Sequence, residues 1–146
     1  MKKIAFLLAL LSSAQANAAV NQWTRTWVQG GTEYRIQNKQ SAELLLTCSP
    51  HDNVFVRYTA PDGKTLTSGN DDGRSLEAQT DNSDTFLIND TLSDAGGSNF
   101  EAFWNAVRKS QRIHITATGL TSTTFTFSNA ARTLPEFDKS GCLTRM

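Results

Sequence analysis

The chain is short of the residues from which active sites are most often built. It holds only two histidines, His51 and His114, and only two cysteines, Cys48 and Cys142. A zinc site needs three or four clustered ligands. His51, however, follows Pro50 in an expected turn, and His114 alternates with Ile113 and Ile115 on an expected strand. A serine nucleophile needs a histidine base held by a carboxylate, and no G-x-S-x-G occurs. The many serines read as turn and strand composition. These shortages lead to the expectation of a non-enzymatic protein with no catalytic residues, no metal and no cofactor.

An excess of charge of one sign is lacking too. Fourteen Lys and Arg stand against fourteen Asp and Glu. One long apolar run stands out, and it lies at the amino terminus. Met1-Lys2-Lys3 is basic, Ile4 to Leu11 is apolar, and Ala16-Asn17-Ala18 places small residues where a signal peptidase reads. The run is well short of the roughly 20 residues that span a bilayer. The expectation is therefore a signal peptide over 1–18, a single β-rich domain over 19–146, and a periplasmic or secreted location. Removing Lys2 and Lys3 leaves 12 basic against 14 acidic residues, a net charge near −2. So neutral a domain, without basic clusters, is not expected to bind nucleic acid or an anionic membrane.

In an oxidising compartment two cysteines have one intramolecular pairing open to them. A redox pair sits close together as C-x-x-C, which these are not, and two buried free thiols fit the setting poorly. A structural bridge between Cys48 and Cys142 is expected, docking the C-terminal tail onto the end of a central strand.

Between the cysteines, short apolar stretches recur at intervals near ten residues in a background of Thr, Ser, Asn and Asp. This is the rhythm of an antiparallel β-sandwich. Leu44 to Cys48 is apolar on both faces and reads as a central strand. Val54, Val56 and Tyr58 alternate with Phe55 and Arg57. Pro61-Asp62-Gly63-Lys64 is a strong hairpin turn, and Gly30-Gly31 another. Asp94 to Asn99 reads as a loop. Phe100, Phe103, Trp104 and Val107 then recur at helical spacing, with Ser98 or Asn99 available as cap. The fold expected is mainly β with one amphipathic helix. Outer-membrane barrel strands need about 9–11 residues, and those here read as five or six.

Candidate binding residues are few. Trp23 and Trp27 share one face of an extended segment with Arg25; if buried they are core, and if exposed a protein-binding hot spot or carbohydrate platform. His51 sits at a turn. Asp71 and Asp72 lie in an acidic turn, Asn70-Asp71-Asp72-Gly73, that has part of a calcium loop but lacks its closing bidentate acid.

Phe100-x-x-Phe103-Trp104, then Arg112 to Ile115, a turn, Phe125-Thr126-Phe127-Ser128, Ala130-Ala131, Leu134 and the terminal Cys142 form a recognisable order. It resembles small periplasmic β-sandwich proteins of the invasion-associated locus B type. It is also similar to accessory periplasmic proteins of type VI secretion, which share a mid-chain cysteine before a strand pair and a cysteine near the end. The resemblance runs over residues 42–142. Two departures stand out: a longer gap follows Trp23-Thr24-Arg25, and Cys48 has no close second cysteine. The resemblance implies a sandwich fold in the periplasm and carries over no catalytic residue. The functional expectation is a binding or accessory protein with a protein partner in the cell envelope. The alternative is an inhibitor or immunity protein against a periplasmic or cell-wall hydrolase.

Overall fold

Period-two alternation builds nine strands, described here from a computed structural model covering residues 19–144 apart from positions 71 and 83. The expected signal peptide and Asp71 lie outside the described residues. Strands β1 (Thr24–Val28), β2 (Gly31–Gln37), β3 (Glu43–Cys48), β4 (Phe55–Thr59) and β5 (Thr65–Thr67) form one antiparallel meander in that order. Strands β6 (Leu76–Thr80), β7 (Thr85–Leu87), β8 (Arg112–Ala117) and β9 (Thr123–Thr126) form a second antiparallel sheet, ordered β7-β6-β8-β9. The fold is the mainly β, disulfide-closed architecture expected.

The two sheets share one core. Tyr34, Ile36, Leu44, Leu46, Val56, Tyr58 and Leu66 line the inner face of the first, and Leu76, Ala78, Ile113, Ile115 and Phe125 that of the second. The central β3 is buried on both faces, because Leu45 on the outer side is also covered. Buried polar groups favour partners; Trp23 Nε1, Asn53 Oδ1 and Thr80 Oγ1 have none among the described residues, but others are paired across the sheets. The Tyr58 hydroxyl donates to the Thr121 carbonyl at 2.6 Å, and Asn38 Nδ2 donates to Thr123 Oγ1 at 2.9 Å, each joining one sheet to the other.

Helix α1 (Asp94–Arg108) buries Phe100, Phe103, Trp104 and Val107. Trp104 meets Tyr34 edge-on at 4.9 Å between centroids. Its start corrects the sequence reading, since the loop expected over Asp94 to Asn99 forms the opening residues of the helix. Ser93, not Ser98 or Asn99, is the cap: its Oγ accepts from Gly96 N at 3.0 Å, and Asp90 Oδ1 accepts from the N–H groups of Leu92 and Ser93. The glycines that suggested a loop serve close packing. A Cβ at Gly96 would stand 2.5 Å from Asp90, and one at Gly97 2.6 Å from the Thr144 carbonyl oxygen.

After β9 the chain forms α2 (Ala130–Thr133) and a short 3-10 helix, Phe137–Lys139. Cys142 is bonded to Cys48, their Cα atoms 4.3 Å apart, which fulfils the expected pairing. Beyond it Leu143 bridges Asn53, and its carbonyl accepts from Val54 N at 2.6 Å. The tail is thus docked on the entry to β4. A link closing a loop this long contributes roughly 4–5 kcal/mol in the chain-entropy model.

Candidate functional site

Strand β1 is the exposed edge of the first sheet. It turns into β2 through Gln29 (φ 45°) and Gly30 (φ 85°), a two-residue hairpin with both central residues left-handed. That turn matches the twist of the flanking strands. The turn lies one residue before the expected glycine pair, and Gly31 instead opens β2, where a Cβ would stand 2.8 Å from the Cys48 carbonyl oxygen. The turn makes Val28 and Gly31 a hydrogen-bonded pair. Because such pairs alternate along an antiparallel ladder, Thr24, Thr26 and Val28 aim their backbone groups at β2. Arg25 and Trp27 aim theirs outward, where they meet no partner among the described residues.

Natural sheets guard their edges with short strands, charges, prolines or covering elements. Here β5 and β7 are three residues long, and β9 is met on its far side by Asn38, whose Nδ2 reaches the Thr124 carbonyl at 3.2 Å. Strand β1 runs five residues with one charge, and the Arg25 guanidinium lies 5.7 Å from the centroid of the Tyr34 ring. Burial pushes the Tyr34 hydroxyl above its ordinary pKa, and the Arg25 charge opposes this. Trp27 is 70% exposed and Val28 40%. A Trp so exposed beside unpaired backbone has the composition of a protein-binding hot spot.

The outer face of the same sheet is closed by its own charges. Arg35 reaches Glu33 at 3.2 Å and Glu43 at 3.6 Å, and Arg57 reaches Glu43 at 3.5 Å, over the covered Leu45. Recesses elsewhere are open and of mixed lining. One of about 500 Å³ between the β2–β3 turn and β9 is lined by Asn21, Asn38, Gln40 and His114 among others, and Lys39 and His114 are its sole titratable groups. His114 Nδ1 lies 2.9 Å from Thr124 Oγ1. His114 also lines a smaller recess of about 260 Å³ with Asp81 and Arg112, where Asp81 Oδ2 accepts from Gln111 N at 2.8 Å.

The two tryptophans part company. Trp23 is 2% exposed, its ring 5.9 Å from that of Phe127, so it is core and forms no shared platform with Trp27. Four residues further on, Trp27 stands at the hairpin end beyond that cover. His51 is exposed in the β3–β4 loop. Asp72 is spent on Arg74, accepting from its backbone N at 3.1 Å and its Nε at 2.6 Å. Chiefly that backbone bond holds the carboxyl below the ordinary carboxylate range. Among the described residues no three His, Cys, Asp or Glu side chains gather at metal-binding distance. Nor is any helix among them long and apolar enough to cross a membrane.

Sequence reasoning missed Asn129. Its Oδ1 accepts from Trp23 N and its Nδ2 donates to the Trp23 carbonyl, so it closes the edge just before β1 opens. The only local sign was a turn-forming residue after the last strand.

Fold and edge together define a small disulfide-closed protein of two antiparallel sheets in which, among the described residues, the outer edge of β1 is left uncovered. The chain belongs to the YfjT family, whose model matches residues 21–134. No curated protein and no solved structure matches it.

Proposed function

We propose that this YfjT-family protein is a non-enzymatic accessory or binding protein of the bacterial envelope, exported to the periplasm or beyond, that engages a protein partner through β1. The exposure of Trp27 on an unpaired, nearly uncharged edge carries the reading. Export is supported by the basic, apolar and small-residue pattern of residues 1–18 and by a bond between Cys48 and Cys142, since such links persist in oxidising compartments. Secretion or host-contact work suits the resemblance noted in the sequence. The test is expression of the full-length gene in a bacterium, followed by fractionation and capture from the envelope. The account expects an oxidised chain beginning at Ala19 outside the cytoplasm, and a partner retained by wild type but lost by Trp27→Ala. A reduced chain with an intact Met1 in the cytoplasm would refute it. So would hydrolysis of peptidoglycan or an ester by the chain alone.

A second reading, an inhibitor or immunity protein against a periplasmic or cell-wall hydrolase, rests on the β3–β4 loop. His51 and Asp52 are exposed there, and the loop is held at its base by the Cys48–Cys142 bond and the Asn53–Leu143 bridge. Loss of hydrolase inhibition in His51→Ala/Asp52→Ala, with Trp27→Ala unaffected, would favour this reading over the first.

A further inference from the structure

We propose that the occupant of the β1 edge is a second copy of this chain, paired antiparallel about a two-fold axis through Thr26. The inference rests on the reading of β1 as the interaction edge and names what fills it.

The free window is bounded at both ends. At one end the Asn129 amide already occupies the outward groups of Trp23. At the other the Gln29–Gly30 turn takes the chain away. A long foreign strand would meet Asn129. A second copy does not extend that far, because its own turn ends its strand at Val28, opposite Thr24. The window and the strand that fills it have the same length.

Within that window one register uses every free group. Centred on Thr26, it sets Arg25 opposite Trp27 of the second copy, and Trp27 opposite its Arg25. These residues carry the outward N–H and C=O groups, so each facing pair exchanges both of its backbone bonds. Arg25 and Trp27 also project to the same side of the sheet. Each guanidinium, already beside the Tyr34 ring, therefore meets an indole from the other copy, a favourable cation–π pairing. Neighbouring registers are worse. One sets Arg25 against Arg25, and the other leaves Arg25 facing Gln29 in the turn. The contact is isologous, as closed dimers require, and would join the two meanders into one continuous sheet.

An exchange of the two side chains tests this. Sedimentation velocity of the purified oxidised chain, from about 10 μM to about 1 mM as suits a small interface, should show a monomer–dimer equilibrium. Trp27→Arg places like charges opposite one another and should weaken dimerisation about tenfold or more. The double variant Arg25→Trp/Trp27→Arg restores the facing pairs and should recover the wild-type dimer. A wild-type chain that stays monomeric throughout, or a double variant no better than the single, overturns the proposal.

A photo-crosslinking amino acid at position 28, in the chain exported by living cells, separates this failure from that of the broader reading. An adduct of two chains joined near Thr24 supports the dimer. An adduct with a different protein overturns the second copy but leaves β1 an interaction edge. No adduct removes both.

Discussion

The side-chain amide of Asn129 holds Trp23 as a neighbouring strand would, with Oδ1 2.9 Å from the Trp23 nitrogen and Nδ2 2.8 Å from its carbonyl oxygen. One residue thereby stands in for a strand, ties the sequence after β9 to the sequence before β1, and sets where the free edge begins. Asn129→Ala leaves the Trp23 N–H unpaired and the Trp23 carbonyl to the longer 3.4 Å contact from Thr133 Oγ1, and should cost about 1–3 kcal/mol. Asn129→Asp keeps the acceptor and loses the donor, so it should fall between. Urea unfolding midpoints measure both, and two variants as stable as wild type would show that the amide closes nothing.

Tail docking makes a second expectation. Replacing Cys48 and Cys142 together with Ala should lower stability by roughly 4 kcal/mol. It should also expose the residues after Ser140 to carboxypeptidase, because the Asn53–Leu143 bridge then loses its anchor. Thiol titration of unfolded, unreduced protein that finds two sulfhydryls would contradict the link directly.

At Gly97 two principles oppose each other. Alanine in a helix is favoured over glycine by about 1 kcal/mol, but here its Cβ would stand 2.6 Å from the Thr144 carbonyl oxygen and 2.9 Å from the Thr144 Cβ. Backbone on one side leaves little room to yield, so the clash wins. Gly97→Ala should lower the melting temperature by several degrees. A raised melting temperature would mean that the tail does not lie against α1.

Alkaline pH should find Tyr58. Burial, with the Asp62 charge adding to it, pushes its hydroxyl up to about 12 from an ordinary value of 10.0. The folded chain therefore holds this proton more tightly than the unfolded one does. Its contribution is whole below pH 10 and is lost as pH rises towards 12. Tyr58→Phe gives up the bond to the Thr121 carbonyl, at about 1 kcal/mol, and should flatten the loss of stability over that range. A slope unchanged by the substitution would assign the effect elsewhere.

What the sequence reveals and what it hides divide by range. The strands, the Pro61–Lys64 turn and the central place of Leu44 to Cys48 are local alternation, and each is where the pattern puts it. The disulfide was accessible because two cysteines leave one pairing. The start of α1 was hidden because Gly96 and Gly97 carry a loop signature locally, and only Asp90 and Thr144 in space explain them. Trp23 and Trp27 look equivalent along the strand. Their separation into core and surface depends on Phe127 and Asn129, more than a hundred residues away. An open edge is likewise invisible in the letters of β1, since it is defined by what fails to cover them.

Residue-resolved amide hydrogen exchange on the purified oxidised chain, at high and low protein concentration, tests the free edge most directly. The account predicts that Thr24, Thr26 and Val28 are protected at both concentrations. Arg25 and Trp27 should exchange fast when dilute and slowly when concentrated. Protection of Arg25 and Trp27 that ignores concentration, or rapid exchange at Thr26, would contradict it.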